Sequence, residues 1–346
     1  MPGMLEQLNS MMVREMVWAL SAFLLAMFLT PIYTHFAYKY KWWKKQKTVA
    51  VTGEALTVMN KLHEKKINRR FPTMAGVIFV IAVGATTFAG GNWDRGQTWL
   101  PLIAFAGGAM IGLIDDLINV FGHKVVAGLR APVKFVMISV LALVMGWWFA
   151  VRLGWTEVYL PFVGPIEIGV VAMISIFAFA VVAMSNAVNI SDGLDGLAGG
   201  LAMLAYGAFA VIALLQGQWG LAGFCLTVVG ALLSYIWFNV HPARFMMGDV
   251  GSFALGAGLG VVAMMTNSFF LLPIIGILFV VEAGSSLIQI VAKKAFNRKI
   301  FISAPIHHHL QAKGWEECKI VARFWVIGGV FAFIGIFLAM GGGIVI

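Results

Sequence analysis

The chain has 346 residues, of which 61% are hydrophobic and 11% charged, with a formal net charge of +9. That balance excludes an ordinary soluble domain. It points to a protein that crosses a lipid bilayer many times.

Ten apolar runs follow in chain order, at 16–38, 72–90, 98–114, 131–150, 166–184, 197–216, 218–238, 253–266, 268–291 and 323–345. Most approach or exceed the ~20 residues that a helix needs to cross the hydrocarbon core. The eighth, 253–266, is the shortest. The runs are continuously apolar and lack the alternation of a membrane barrel. The expected fold is therefore all-α: a polytopic membrane bundle of about ten transmembrane helices, making one integral-membrane domain over residues 1–346. The first run is too long for a signal-peptide core, and no small-residue cleavage site follows it. No internal repeat is visible, and the 39 glycines suit close helix packing in lipid.

Charge orients the bundle. With both termini outside, the odd-numbered loops hold 21 Lys and Arg, from Lys39 to Arg323, against three outside (Arg14, Arg95 and Arg152). This is the asymmetry of the positive-inside rule. The basic, aromatic segment 37–47 reads as an anchor on anionic membrane lipid. The net charge is thus a topological and lipid-binding signal, and no nucleic-acid partner is expected. Cys225 in a span and Cys318 in an inner loop are not expected to pair.

Five aspartates and a histidine triplet fall at the inner ends of these runs. In a membrane protein such groups mark function by default. Pro72 and Thr73 open the second run just after Arg69 and Arg70, where a helix N-terminus with basic neighbours can hold an anion. Asp115 and Asp116 close the third run. Neighbouring carboxylates repel, and a helix C-terminus disfavours negative charge, so the pair calls for a partner such as Mg²⁺, or for a proton to accept from a phosphate. Asn186 and Asn189 share a helical face, and Ser191 or Asp192 could cap the following helix. Gly193 and Gly196 let backbone approach a ligand, so the stretch through Asp195 reads as a nucleotide or sugar site. Asn239, Pro242 and Asp249 lie in an irregular connection between the seventh and eighth runs. An acid flanked by glycine there suits Mg²⁺, which takes one or two carboxylates plus substrate phosphates. Glu282, inside the ninth run, reads equally as a buried contact or a site residue. His307, His308 and His309 lie in the last inner loop, where one or two could meet a diphosphate; from a helix they could not all face one ion. A structural role for the triplet and a transition-metal site remain alternatives.

In this order, the strings DD, NAVNISDGLDGLA, FNVHPA with GDVGS, and PIHHHL with GW and RFW resemble the phospho-N-acetylmuramoyl-pentapeptide transferases. These belong to the polyprenyl-phosphate N-acetylhexosamine-1-phosphate transferases. The resemblance spans about residues 60–330, and the HHH, GW and RFW strings mark the muramoyl-pentapeptide branch. It implies Mg²⁺-dependent transfer of phospho-MurNAc-pentapeptide from UDP-MurNAc-pentapeptide to undecaprenyl phosphate, giving lipid I and UMP. It also implies a bacterial cytoplasmic membrane, an active site on the cytoplasmic face, and room for a homodimer. Asp249 would be the metal ligand, with Asp115 and Asp116 serving the acceptor phosphate. Asn189, Asp192, Gly193, Leu194 and Asp195 would surround the nucleotide. His308 with its neighbours His307 and His309 would meet the diphosphate or sugar, and Lys134 would neutralise phosphate charge. Asn186, Asn239, Thr73 and Met246 complete the expected substrate contacts. Two positions depart from the family pattern. Asn68 stands where a lysine is usual, and Met246 stands where an aromatic is usual, with Phe245 one place earlier. Competing readings are a sister enzyme that uses UDP-GlcNAc, a secondary transporter of an anionic metabolite, and a scaffold without chemistry. The HHH string argues against the first, and clustering of the acids on one face argues against the second.

Overall fold

The computed structural model describes residues 2–43, 72–90, 96–122 and 128–345. Lys44 to Arg70, with the departure at Asn68, lie outside the described residues, as do Arg95 and Lys124. Helix α1 spans Pro2–Lys39, α2 Gly76–Ala89, α3 Gly96–Phe121 and α4 Ala131–Trp147, which a π turn extends over Trp148–Arg152. A hairpin of β1 (Glu157–Leu160) and β2 (Gly164–Glu167) leads to α5 (Gly169–Ser191), α6 (Leu197–Leu215), α7 (Trp219–Asn239) and α8 (Gly248–Met265). A 3₁₀ turn at Phe269–Leu271 precedes α9 (Leu272–Ile275) and α10 (Ile277–Phe296); then come α11 (Ile306–Ala312) and α12 (Glu317–Gly341).

Among the described residues eight of these helices are long and apolar enough to cross a membrane, and α9 with α10 makes a ninth span bent by 82°. The bend falls at Gly276, which lies between the two helices. Helix α2 has 14 residues. At 1.5 Å per residue it falls short of the ~30 Å hydrocarbon core. The expected second span, 72–90, therefore loses its first turn. Pro72 pairs with Trp43 in an isolated bridge, and the chain from there to Ala75 lies along 246–247, with Met246 N donating to Pro72 O (2.9 Å) and Ala75 N to Met246 O (3.0 Å). The small hairpin was not expected. It sits between the far ends of α4 and α5, held by Tyr159 N donating to Asn267 Oδ1 at 2.9 Å and Phe162 N to Gly342 O at 3.1 Å.

Helix α8 is the centre of the bundle, and every one of its residues is buried. It packs most closely on α3 and α5 and also touches α2 and α6. Its sequence explains this. Gly, Ala and Ser occupy much of its surface, so neighbouring backbones can approach without side chains between them. A Cβ at Gly112 of α3 would strike the backbone of Asp249, and one at Gly256 would strike Met184 and Ser185 of α5. Away from this core the helices expose Leu24, Phe28, Val144, Phe333 and Phe337. In water such a surface would aggregate; in a bilayer it is the lipid face.

Gly112→Ala is expected to lower the thermal unfolding midpoint in detergent, at a cost of about 1–3 kcal/mol or more for overpacking. Gly84→Ala in α2 has open space around its new methyl. It should leave the midpoint unchanged or raise it slightly, because alanine favours helix by roughly 0.5–1 kcal/mol.

Candidate active site

The close approach of α3 to α8 sets the site. Asp115 and Asp116 face the first turn of α8, which carries Asp249, and all three are buried. One oxygen from each lies within 4.8 Å of the others. The expectation that Asp115 and Asp116 end their helix is corrected: α3 continues to Phe121. Nor does Asp249 lie in the connection; it is in the first turn of α8. The feared conflict with a helix C-terminus is thereby removed. Val250 N–H, at the positive end of α8, donates to Asp116 Oδ2 at 3.1 Å.

Lys134, from the first turn of α4, bridges the cluster. Its Nζ lies 2.7 Å from Asp249 Oδ2 and 3.3 Å from Asp115 Oδ2, and 5.8 Å from the centre of the Phe253 ring. Leu129 N–H donates to Asp115 Oδ1 at 2.5 Å. Gly248 has φ of +71°, and a Cβ there would strike Asp116 Oδ2, Thr73 Oγ1 and the Met74 backbone. Glycine at this place thus answers to both backbone conformation and space. Thr73 is held by its backbone: its N–H donates to Trp42 O at 3.0 Å, and Tyr33 Oη donates to its carbonyl. Its buried Oγ1 has no hydrogen-bond partner among the described residues. Three carboxylates against one lysine, with a lone hydroxyl beside them, form an all-oxygen donor set. It fits a hard divalent cation such as Mg²⁺.

A second group of polar residues lies on the end of α5 and the turn between α5 and α6. Asn189 Nδ2 donates to Ser252 Oγ at 2.8 Å, joining the end of α5 to α8, whereas Asn186 Nδ2 turns back to Val182 O at 2.8 Å. Neither Ser191 nor Asp192 caps α6. Ser191 Oγ donates to Ala187 O within α5, Asp192 is the C-terminal boundary residue of α5, and Gly196 starts α6 without a side-chain cap. Leu194 is buried. Asp195 Oδ2 lies 2.9 Å from His241 Nδ1 and accepts from Ala243 N–H at 3.2 Å, while its own N–H donates to Glu317 Oε1 at 2.7 Å. Asp195, His241 and Glu317 form another group able to hold a cation. Asn239 is buried and structural in its contacts: Oδ1 accepts from Gly196 N–H (2.9 Å) and Nδ2 donates to Phe245 O (2.7 Å). Met246 is half-buried. Phe245 is fully buried against Tyr33, Tyr235 and Phe238, so its ring is taken up by the core.

The histidine triplet is on a helix, α11, and not in a loop. Its members take different partners, although the His307 and His308 rings touch, 4.1 Å between centres. His307 Nδ1 lies 2.8 Å from Glu282 Oε2, His308 Nδ1 lies 2.9 Å from Gln311 Oε1, and His309 Nδ1 accepts from Ile302 N–H at 3.1 Å. A Cβ on Gly193 would meet His307 Nε2, which places α11 against the α5–α6 turn.

Sequence reasoning assigned no role to Glu317, His241 or Ser252. Glu317 was hidden by placing the last span at 323–345, six residues after α12 begins. His241 stood in plain view, two residues after Asn239, but no spacing tied it to Asp195.

A family model described as glycosyl transferase family 4 matches residues 98–267. A phospho-N-acetylmuramoyl-pentapeptide-transferase of Geobacillus kaustophilus is 37% identical over 324 residues, covering 92% of this chain and 95% of its own. One from Lactobacillus acidophilus is 39% identical over 272 residues, covering 78% and 83%. One from Chloroflexus aggregans is 36% identical over 343 residues, covering 95% and 90%.

Lys134→Met would leave the buried acids without their bridging ammonium. Breaking such a group costs about 3–5 kcal/mol, so the variant should unfold at a lower temperature in detergent with chelator. Added Mg²⁺ should restore part of the loss by binding the freed carboxylates; no shift on adding Mg²⁺ would remove the cation from this cluster.

Proposed function

The chain belongs to the phospho-N-acetylmuramoyl-pentapeptide transferases, and on that premise we infer that it transfers phospho-MurNAc-pentapeptide from UDP-MurNAc-pentapeptide to undecaprenyl phosphate, giving lipid I and UMP in peptidoglycan synthesis. One observation supports the site assignment above all others. Asp115, Asp116 and Asp249, from two helices, converge with Lys134 at one end of a membrane bundle. That end is the one toward which the positive-inside rule turns the basic loops. We therefore place the active site at the cytoplasmic face of the bacterial inner membrane. There the head group of a lipid acceptor and a soluble nucleotide donor can both reach it.

Joining two anions needs charge neutralisation and alignment, and little covalent chemistry from the protein. Asp249, with Asp115 and Asp116 beside it, is the proposed ligand set for Mg²⁺. When bound, Mg²⁺ supplies charge stabilisation on the donor's diphosphate oxygens. Lys134 lies between Asp115 and Asp249, where its ammonium can turn to a phosphate. Asp115 or Asp116 keeps the acceptor phosphate ionised. An acceptor oxygen attacks the β-phosphorus, a new oxygen–phosphorus bond forms, the bond from that phosphorus to the bridging oxygen breaks, and UMP leaves with the electron pair. Asn189, Asp192, Gly193, Leu194 and Asp195 are the proposed nucleotide contacts. His307, His308 and His309 lie on the diphosphate and sugar side. Phe245 is buried, so the uracil is left to Met246 and the α5–α6 turn, without an aromatic from this segment.

The test is UMP release by purified protein given undecaprenyl phosphate, Mg²⁺ and either UDP-MurNAc-pentapeptide or UDP-GlcNAc. Release with the first donor alone is expected; release with the second alone would move the chain to the sister chemistry. Asp249→Asn should lower kcat by about a hundredfold or more, on the scale of removing one transition-state charge stabiliser. Undiminished turnover by that variant would sink the metal-ligand assignment, and a trapped phospho-enzyme would sink direct attack.

A further inference from the structure

The segment that leads from α11 into α12 carries the GW and RFW strings. Its polar and aromatic side chains divide into two groups. One group holds the α5–α6 turn. Glu317 Oε1 accepts from Asp195 N–H at 2.7 Å, Glu317 Oε2 lies 3.6 Å from His241 Nδ1, and Trp325 Nε1–H donates to Gly196 O at 3.2 Å. The other group is Trp315 with Lys319 and Arg323. Lys319 Nζ lies 5.0 Å and Arg323 Cζ 4.7 Å from the centre of the Trp315 ring. Gly314, at φ of +88°, turns the chain out of α11, and Trp315 N–H donates to Leu310 O at 3.1 Å, which sets the indole against α12.

Lys319 and Arg323, four residues apart, share one face of α12. Each helical residue advances by about 100°, so that face is turned roughly 200–240° from Glu317, away from the α5–α6 turn. Both cations are exposed, and Trp315 is half-buried. Glu317, the carboxylate between Trp315 and Lys319 in the chain, is drawn off to the turn. Among the described residues neither Lys319 nor Arg323 makes an ion pair. The positive-inside rule accounts for basic residues at this end of the molecule. It does not account for two of them gathered on one indole, where they repel each other and the ring's electrons neutralise neither. An anion set between them would relieve that repulsion. A guanidinium offers a carboxylate two parallel N–H donors, and the ammonium adds a third charge-assisted bond.

Distance selects which anion of the donor this is. The body of a helix, about 10–12 Å across, separates the cations from the turn proposed to meet the nucleotide. That is too far for the sugar or its diphosphate. A pentapeptide extends to about 16–18 Å and, whatever its composition, ends in a carboxylate. We propose that Trp315, Lys319 and Arg323 form a binding platform for the C-terminal carboxylate of the donor's pentapeptide. The platform rests on the function proposed above in naming the donor. It gives the GW and RFW strings a shared purpose: Trp315 and Arg323 receive the peptide, while Trp325 holds the turn. A UDP-sugar without a peptide has nothing to place there.

The experiment follows UMP release by the full chain in phosphatidylcholine vesicles with two donors. One is UDP-MurNAc-pentapeptide, and the other is the same molecule with its terminal carboxylate converted to the amide. Wild type should show a KM about tenfold higher for the amide, the scale of one hydrogen bond to a charged group, with kcat unchanged. Arg323→Gln should raise KM for the acid about tenfold and leave KM for the amide as it is, with kcat unchanged for both, because the contact is made equally before and during reaction. Lys319→Gln should act in the same direction. Equal KM for the two donors in wild type, or a loss in Arg323→Gln that is the same for both, would overturn the proposal. So would a loss seen only when phosphatidylglycerol is added, which would give these cations to the membrane surface. Should Arg323→Gln fail to fold, the acid–amide comparison in wild type and Lys319→Gln still decides. A wild type that releases no UMP from either donor would count against the reaction alone. Equilibrium dialysis of the two donors then reads the same comparison as a ratio of Kd values, without turnover.

Discussion

The contact between the backbones of α3 and α8 is the constraint from which the rest follows. Glycine at position 112 lets the two helices meet with no side chain between Gly112 and Asp249. Three residues later α3 delivers Asp115, and then Asp116, to the first turn of α8. Had the helices packed at the usual 8–10 Å, with side chains interleaved, these acids would stand too far apart to share one cation. The same economy of side chains recurs where α8 meets α5 at Gly256. Helix α8 presents Asp249 in its first turn while its body is surrounded on all sides.

Three buried carboxylates would be untenable without compensation. It comes from several sources at once: the Val250 amide in the first turn of α8 at Asp116, the Leu129 amide at Asp115, and Lys134 across Asp115 and Asp249. Each of these is local and rigid except Lys134, whose side chain can move. The cluster is therefore preorganised in its backbone and adjustable in one cation. That suits the proposed site, in which a metal and two phosphates would enter and leave.

Much of this was legible in the sequence. The apolar runs located the membrane helices, because continuous hydrophobicity over ~20 residues has no other common meaning. The charge asymmetry put all five acids at one end before any packing was known. Helix ends were less legible. Asp115 and Asp116 read as closing a span because polarity begins there, yet α3 runs on to Phe121, with Asn119 buried and Leu117 and Phe121 exposed. The same bias shortened α8, whose first turn holds Asp249, and delayed α12, whose first residue is Glu317. Hydropathy reports where lipid stops; hydrogen bonding decides where a helix stops. Long-range pairs were not legible at all. Nothing in spacing joins Asp195 to His241 and Glu317, or Glu282 to His307, since these meet only after the helices pack.

The two halves of the site are built differently, and the difference bears on how such enzymes vary. The acid cluster is held by backbone proximity, so a change near it disturbs the whole core. The α5–α6 turn is held by side chains from far along the chain. Asn239 and Trp325 grip Gly196, Glu317 grips the Asp195 amide, and His307 faces Gly193. Three of these side chains, His307, Glu317 and Trp325, lie in the stretch that holds the HHH, GW and RFW strings. That stretch need not touch the sugar to matter. By shaping the turn proposed to lie against the nucleotide, it can alter which donor fits while the proposed phosphoryl-transfer cluster stays as it is.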